Sequence, residues 1–116
     1  MNKLFHRNKA HYGHTSTIVL DDGNGLVSVT IMNGREDMAV IHDLIVMKNK
    51  RGEGLGRALL EEACAEAAGL GAKTVRLSVA PGSWLEEWYK RHGFQEIGEV
   101  EYDGLFVVLE KKCGEE

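Results

Sequence analysis

Alternating apolar and polar positions mark the first part of the chain, and a helical period replaces them at Leu55. Residues 15–32 hold two β-branched runs on either side of Asp21-Asp22-Gly23-Asn24-Gly25. Those turn residues tolerate left-handed backbone, so the stretch predicts a hairpin. Asn33-Gly34-Arg35 supplies the next turn. Residues 38–47 then predict a third strand, apolar almost throughout and so expected in the middle of a sheet. His42 and Asp43 interrupt it. Simple alternation sets Val40, His42, Leu44 and Val46 on one face and Asp43 on the other.

Leu55, Leu59, Ala63, Ala67 and Leu70 recur at helical spacing, with Arg57, Glu61, Glu62 and Glu66 on the other side. Gly69 and Gly71 end that helix, predicted over 55–69. Residues 73–80 predict a strand, and strand–helix–strand of this length implies a parallel crossover. Ser83-Trp84-Leu85-Glu86 carries the serine and glutamate of a capping box. The helix it opens sets Leu85, Trp88, Tyr89 and His92 on one face and stops at Gly93. Two further strands flank Tyr102-Asp103-Gly104. The predicted order is β-β-β-α-β-α-β-β, a mixed α/β fold with a mostly antiparallel sheet in a single domain over 1–116. Residues 1–14 are basic and aperiodic and are expected to form a loose N-terminal arm.

Charge narrows the partners. A net charge of -4 and a pI of about 5.7 argue against bulk attraction to nucleic acid or anionic membrane, and suit a cationic partner such as an amine. Cys64 and Cys113 do not make a disulfide framework, which fits a reducing compartment. With no apolar run long enough for a signal peptide or a span, the expected address is cytoplasmic. His6, His11 and His14 match no ligand spacing, so no metal is expected.

The chemistry concentrates where the third strand meets the first helix. Arg51-Gly52-Glu53-Gly54-Leu55-Gly56 has the spacing Arg-x-x-Gly-x-Gly, and Lys48, Lys50, Arg51 and Arg57 outnumber Glu53 around it. Glycines let backbone N–H groups approach a ligand, and the first N–H groups of a helix lack internal partners. Such a turn suits a phosphate or diphosphate. A Walker loop is excluded because Arg57-Ala58 follows Gly56, and glycines at 52, 54 and 56 do not give the dinucleotide spacing.

Ile41-His42-Asp43-Leu44-Ile45-Val46 and, after five residues, Gly52-Glu53-Gly54-Leu55-Gly56-Arg57 resemble the acetyl-CoA signature of the GNAT superfamily of N-acetyltransferases. Glu87-Trp88-Tyr89-Lys90-Arg91-His92-Gly93-Phe94 resembles that family's tyrosine helix ending in Gly-Phe. The two motifs stand in the family's order, and the resemblance spans about residues 25–111. It implies a GNAT-like acyl-CoA N-acyltransferase fold with acetyl-CoA as acetyl donor. The backbone of Leu44, Ile45 and Val46 would pair with the pantetheine arm, and N–H groups from Arg51 and Gly52 through Glu53, Gly54, Leu55 and Gly56 to Arg57 would hold the diphosphate. Members typically splay this strand from the one at 74–80, and the thioester lies in the gap.

The same resemblance assigns three catalytic candidates. The N–H of Leu44 would stabilise the oxyanion, and Tyr89 would protonate the departing thiolate. His42 stands where relatives often carry an acid, and imidazole titrates in the right range to take a proton from an ammonium. A satisfied sheet histidine and a core tyrosine are the plainer readings of the last two. Ser83 and Glu86 are explained by capping, and Glu87, Glu99, Glu101 and Asp103 by solvation.

Fuller members of the family place a strand and two helices ahead of the hairpin, and fourteen residues cannot hold them. The acceptor side is therefore expected to be open, completed by a second subunit in a homodimer, or built for a protein lysine or N-terminus. Small amines such as polyamines and amino sugars remain alternative acceptors, and a non-catalytic acyl-CoA-binding module is the competing class.

Overall fold

A computed structural model describes residues 5–12, 15–32 and 37–113. Seven strands form one sheet in the order β1-β2-β3-β4-β5-β7-β6. Their spans are β1 His6–Tyr12, β2 Thr15–Asp21, β3 Gly25–Met32, β4 Met38–Val46, β5 Thr74–Val79, β6 Gln95–Glu101 and β7 Leu105–Lys112. Helix α1, Leu55–Gly69, joins β4 to β5, and α2, Trp84–Arg91, follows β5. This is the mixed α/β, mostly antiparallel architecture that the sequence predicts, with one strand more. The turn expected at Asn33-Gly34-Arg35 lies outside the described residues.

The extra strand corrects the expectation of a loose arm. His6–Tyr12 pairs antiparallel with β2 along its whole length, from His6 opposite Asp21 to Tyr12 opposite Thr15. It escapes a pattern search because it is an edge strand whose residues 6–10 are all exposed. Polar and charged residues are how edges avoid pairing with other chains. Arg7 fastens it to α1 through a 2.8 Å bond from Nε to Glu66.

Burial is one-sided. Ile18 and Leu20 in β2, Val27, Val29 and Ile31 in β3, and Ala39 and Ile41 in β4 are buried. Val75, Leu77 and Val79 in β5 and Val107 and Leu109 in β7 continue the same face. Leu59, Leu60, Ala63 and Ala67 of α1 and Tyr89 of α2 join these residues in one cluster, so both helices cover this face. On the other face Val19, Leu26, Ser28, Thr30 and Val40 are only half-buried, and no helix covers them among the described residues. No helix is long and apolar enough to cross a membrane.

Beside β3 the fourth strand is paired from Val46 up to Ala39. Beside β5 it is paired, in parallel, only at Met38, Val40 and Ala39 between them. Past that point the two strands part, β5 staying with β7 to Val79. The sheet is therefore two antiparallel blocks hinged at one short parallel seam.

Candidate active site

A bulge in β4 resets the geometry beside the gap. Ser28 faces Asp43 and Val29 faces Ile41, which leaves His42 as an extra residue without a partner. Such an insertion reverses the phase of alternation. Leu44 opposes buried Val27 and Ile41 opposes buried Val29, so both point to the covered face. Asp43, opposite Ser28, shares the uncovered face with Val40, opposite Thr30. The expected grouping of Val40, His42, Leu44 and Val46 is thus corrected. Periodicity of two cannot register one inserted residue. His42 and Asp43 are both exposed.

Past the bulge, the direction of the main chain can be read from its bonds. Met47 N–H donates to Asn24 O at 2.8 Å, toward β3. Successive strand residues turn their N–H and C=O groups to opposite sides, so Val46 and Leu44 direct theirs away from β3 and into the gap. Arg51 confirms the direction: its Nε donates to Val46 O at 3.1 Å. Leu44 thus offers its main-chain groups and Val46 its N–H along an open strand edge, Val46 O being held by Arg51, while Ile45 is engaged with β3.

The chain then turns through the short 3-10 helix Lys48–Lys50 into the glycines. Gly52 and Gly54 hold φ of 83° and 87°, left-handed values that strain any residue with a Cβ. Gly54 is the N-cap of α1 and provides no side-chain cap, so the first N–H groups of the helix remain available to an anion. Gly56 differs: it has no left-handed φ and faces Trp88 at ordinary contact distance. A Cβ there would lie 3.4 Å from Trp88 Cζ2 and 3.7 Å from Val46 Cγ2.

These elements enclose a groove of about 490 Å³, a volume ordinary for a small-molecule site. Its floor is Leu44, Ile45 and Val46. One wall is the turn, with Lys50, Arg51, Gly52, Gly54, Gly56 and Arg57. The facing wall is the side of α2 that carries Trp84, Leu85, Trp88 and His92. Of the side chains singled out in the sequence, Glu53 and Leu55 do not line the groove. Arg57 lines it while bonded through Nε to Glu61 at 3.0 Å.

α2 is set firmly. Ser83 Oγ accepts from Glu86 N–H at 3.3 Å, as the capping sequence predicts. Glu86 reaches back one residue further than a capping box requires, accepting from Gly82 N–H at 2.7 Å and from Lys90 Nζ at 2.7 Å. The Lys90 bond, with Gly82 after it, holds the Glu86 carboxyl below its usual value. Leu85, Trp88 and His92 face the groove, but Tyr89 does not share their face. Its ring is 5% exposed and meets Trp88 and Phe94 edge-on at 5.1 and 5.3 Å. Burial pushes its phenol up to about 12, so the proton is retained at neutral pH. His42 also lies outside the groove lining. The aromatic wall was missed in the sequence because Trp88 and His92 carried the spacing of core residues. Trp84, one turn before Trp88 at i and i+4, was the signal for it.

The sequence profile of the acetyltransferase (GNAT) domain matches residues 13–96. The chain belongs to the GNAT acetyltransferases. It is therefore an acyltransferase, of a family that uses acetyl-CoA as donor and amines as acceptors. No curated protein matches the chain. Among solved structures, a nourseothricin acetyltransferase is 23% identical, with 95% of this chain and 85% of that one covered at a TM-score of 0.72. A spermidine N-acetyltransferase from Vibrio cholerae is 21% identical, with 89% and 67% covered at 0.72. A ribosomal-protein alanine N-acetyltransferase from Escherichia coli is 20% identical, with 91% and 74% covered at 0.69. At these identities the likeness is one of fold. The three names point to three different acceptors.

Proposed function

We propose that this GNAT member moves an acetyl group from acetyl-CoA to a primary amine by direct attack in a ternary complex, and that the amine is a protein lysine or N-terminus. The uncovered sheet face is the observation that carries the acceptor reading. The gap between β4 and β5 opens toward a face that no helix walls among the described residues. An amine attached to a large body has room to approach there. The fit of the donor rests on the open edge at Leu44 and Val46, the left-handed glycines and the 490 Å³ groove.

In this reading the N–H groups from Gly52 to Arg57 hold the diphosphate and the side chain of Arg51 fixes the end of β4. Leu44 N–H, directed into the gap, takes the charge that develops on the carbonyl oxygen. An amine of lysine type has a pKa near 10.4 and must lose a proton before it attacks. His42, exposed at the bulge, accepts that proton, directly or through water. Tyr89 is assigned as the proton donor to the thiolate by the resemblance of its helix to the family's, although its ring is buried beside Trp88 and does not line the groove.

Release of free thiol from acetyl-CoA tests the reading, with a lysine peptide, a peptide with a free N-terminus, and spermidine offered in parallel. Release is expected with a peptide acceptor, and Tyr89→Phe should slow it about 100-fold, at the lower end for loss of a general acid. Release with spermidine alone would overturn the acceptor assignment. Coenzyme binding without release to any amine would identify an acyl-CoA-binding module.

A further inference from the structure

The chain has 2 tryptophans, and both stand on the groove wall formed by α2. They are held very differently. Trp88 stacks on His92 with ring centroids 4.1 Å apart and planes 31° apart, while His92 Nδ1 bonds Trp88 O at 2.8 Å. Its indole also meets Tyr89 edge-on and lies against Gly56. It is wedged between the two helices. Trp84 stacks on no ring among the described residues and is 66% exposed, an unusual position for the largest apolar side chain.

Topology fixes which end of the groove Trp84 occupies. β4 and β5 run parallel, the glycine turn leaves the end of β4, and only four residues separate the end of β5 from α2. The turn and Trp84 are therefore at the same end of the sheet. Trp88, one helical turn further, lies beside the first turn of α1. A coenzyme whose diphosphate rests on residues 52–57 and whose thioester points inward along Leu44 must project its nucleotide outward. The outward direction is the rim, where Trp84 presents an open aromatic surface between the groove and solvent. Lys50, which lines the same groove, adds positive charge for a phosphate.

We propose that Trp84 is the stacking platform for the adenine base of the coenzyme and that Trp88 is the fixed wall behind it, an assignment that rests on the acetyl-CoA reading above. Every base has a π face, and an indole at the mouth of a phosphate site recovers on binding the apolar area it exposes when free. Trp84 then contributes to affinity for the nucleotide half of the donor and leaves the pantetheine half alone.

Calorimetry and tryptophan fluorescence on the full chain distinguish the halves, with coenzyme A and 4′-phosphopantetheine as the two probes. Trp84→Ala should weaken coenzyme A about tenfold, the loss expected from one base–aromatic stack, and leave 4′-phosphopantetheine unchanged. Trp84→Phe should regain most of the affinity. Because Trp84 is exposed, circular dichroism should show both variants folded. Trp84→Ala binding coenzyme A as tightly as the wild type, or losing both probes equally, would overturn the assignment. A wild-type chain that binds no coenzyme A would overturn the acetyltransferase reading and this assignment with it.

Discussion

Val27, Val29 and Ile31 are sealed beneath the helices, whereas Leu26, Ser28 and Thr30, one residue away along the same strand, remain half in water. The covered face is apolar throughout its centre. The uncovered face keeps polar cross-strand pairs: Thr17 and Thr30 share a hydroxyl bond of 2.9 Å, and Arg76 Nε donates to Glu110 at 2.7 Å. A helix laid across these groups would have to desolvate the ion pair, which costs more than the pair returns in attraction. One face of the sheet thus holds the fold, while the other keeps the gap accessible.

Substitutions on the two faces test this division, beginning with the covered one. Leu59→Ala, in the fully buried centre of α1, should lower unfolding free energy by about 2–5 kcal/mol in urea titrations. The next effect is one of pH. The Tyr89 phenol is raised from 10.0 to about 12 by burial, so the folded chain holds this proton more tightly than the unfolded one. Its stabilising contribution is complete below pH 10 and is lost as pH rises through 12, on the order of 2 kcal/mol. Tyr89→Phe should flatten that decline. Cys64, raised from 9.0 to about 11 by burial first and by Cys113 next, should leave an earlier decline beginning near pH 9.

Gly54→Ala should cost roughly 1–2 kcal/mol for a side chain at left-handed φ, read as a shift in denaturation midpoint. Gly54→Asp adds negative charge at the same point and should weaken coenzyme A more than about tenfold by calorimetry. The smallest effect belongs to the uncovered face, where Val40→Thr should change stability by less than about 1 kcal/mol. A loss at Val40 as large as that at Leu59 would break the comparison, since it would mean that this face is covered in solution.

Most of the scaffold could be read from residue patterns because each element there has its own signal. Leu55 to Leu70 kept one helical period and Gly69 and Gly71 closed it, so the helix ends where the glycines predict. The hairpin around Gly23 and Gly25 was equally plain. β1 could not be read, since its exposed residues from His6 to Ala10 carry no alternation. The bulge at His42 was also invisible: alternation continues across it in the sequence, but the strand reverses its faces. In the candidate site, the left-handed turn that walls the groove was legible from Gly52 and Gly54. The facing wall was not, because Trp88 and His92 pack on each other and on the groove at once, and a helical period does not separate these two roles.

The short parallel seam has a mechanical consequence. Residues up to α1 form one block with β1–β4, and residues from β5 onward form another with α2 against β7. The groove takes its floor and glycine wall from the first block and its aromatic wall from the second. A molecule seated there bridges the weakest join in the sheet. Such a molecule would act as a rivet, so occupancy of the groove and resistance to shear between the two blocks would rise and fall together.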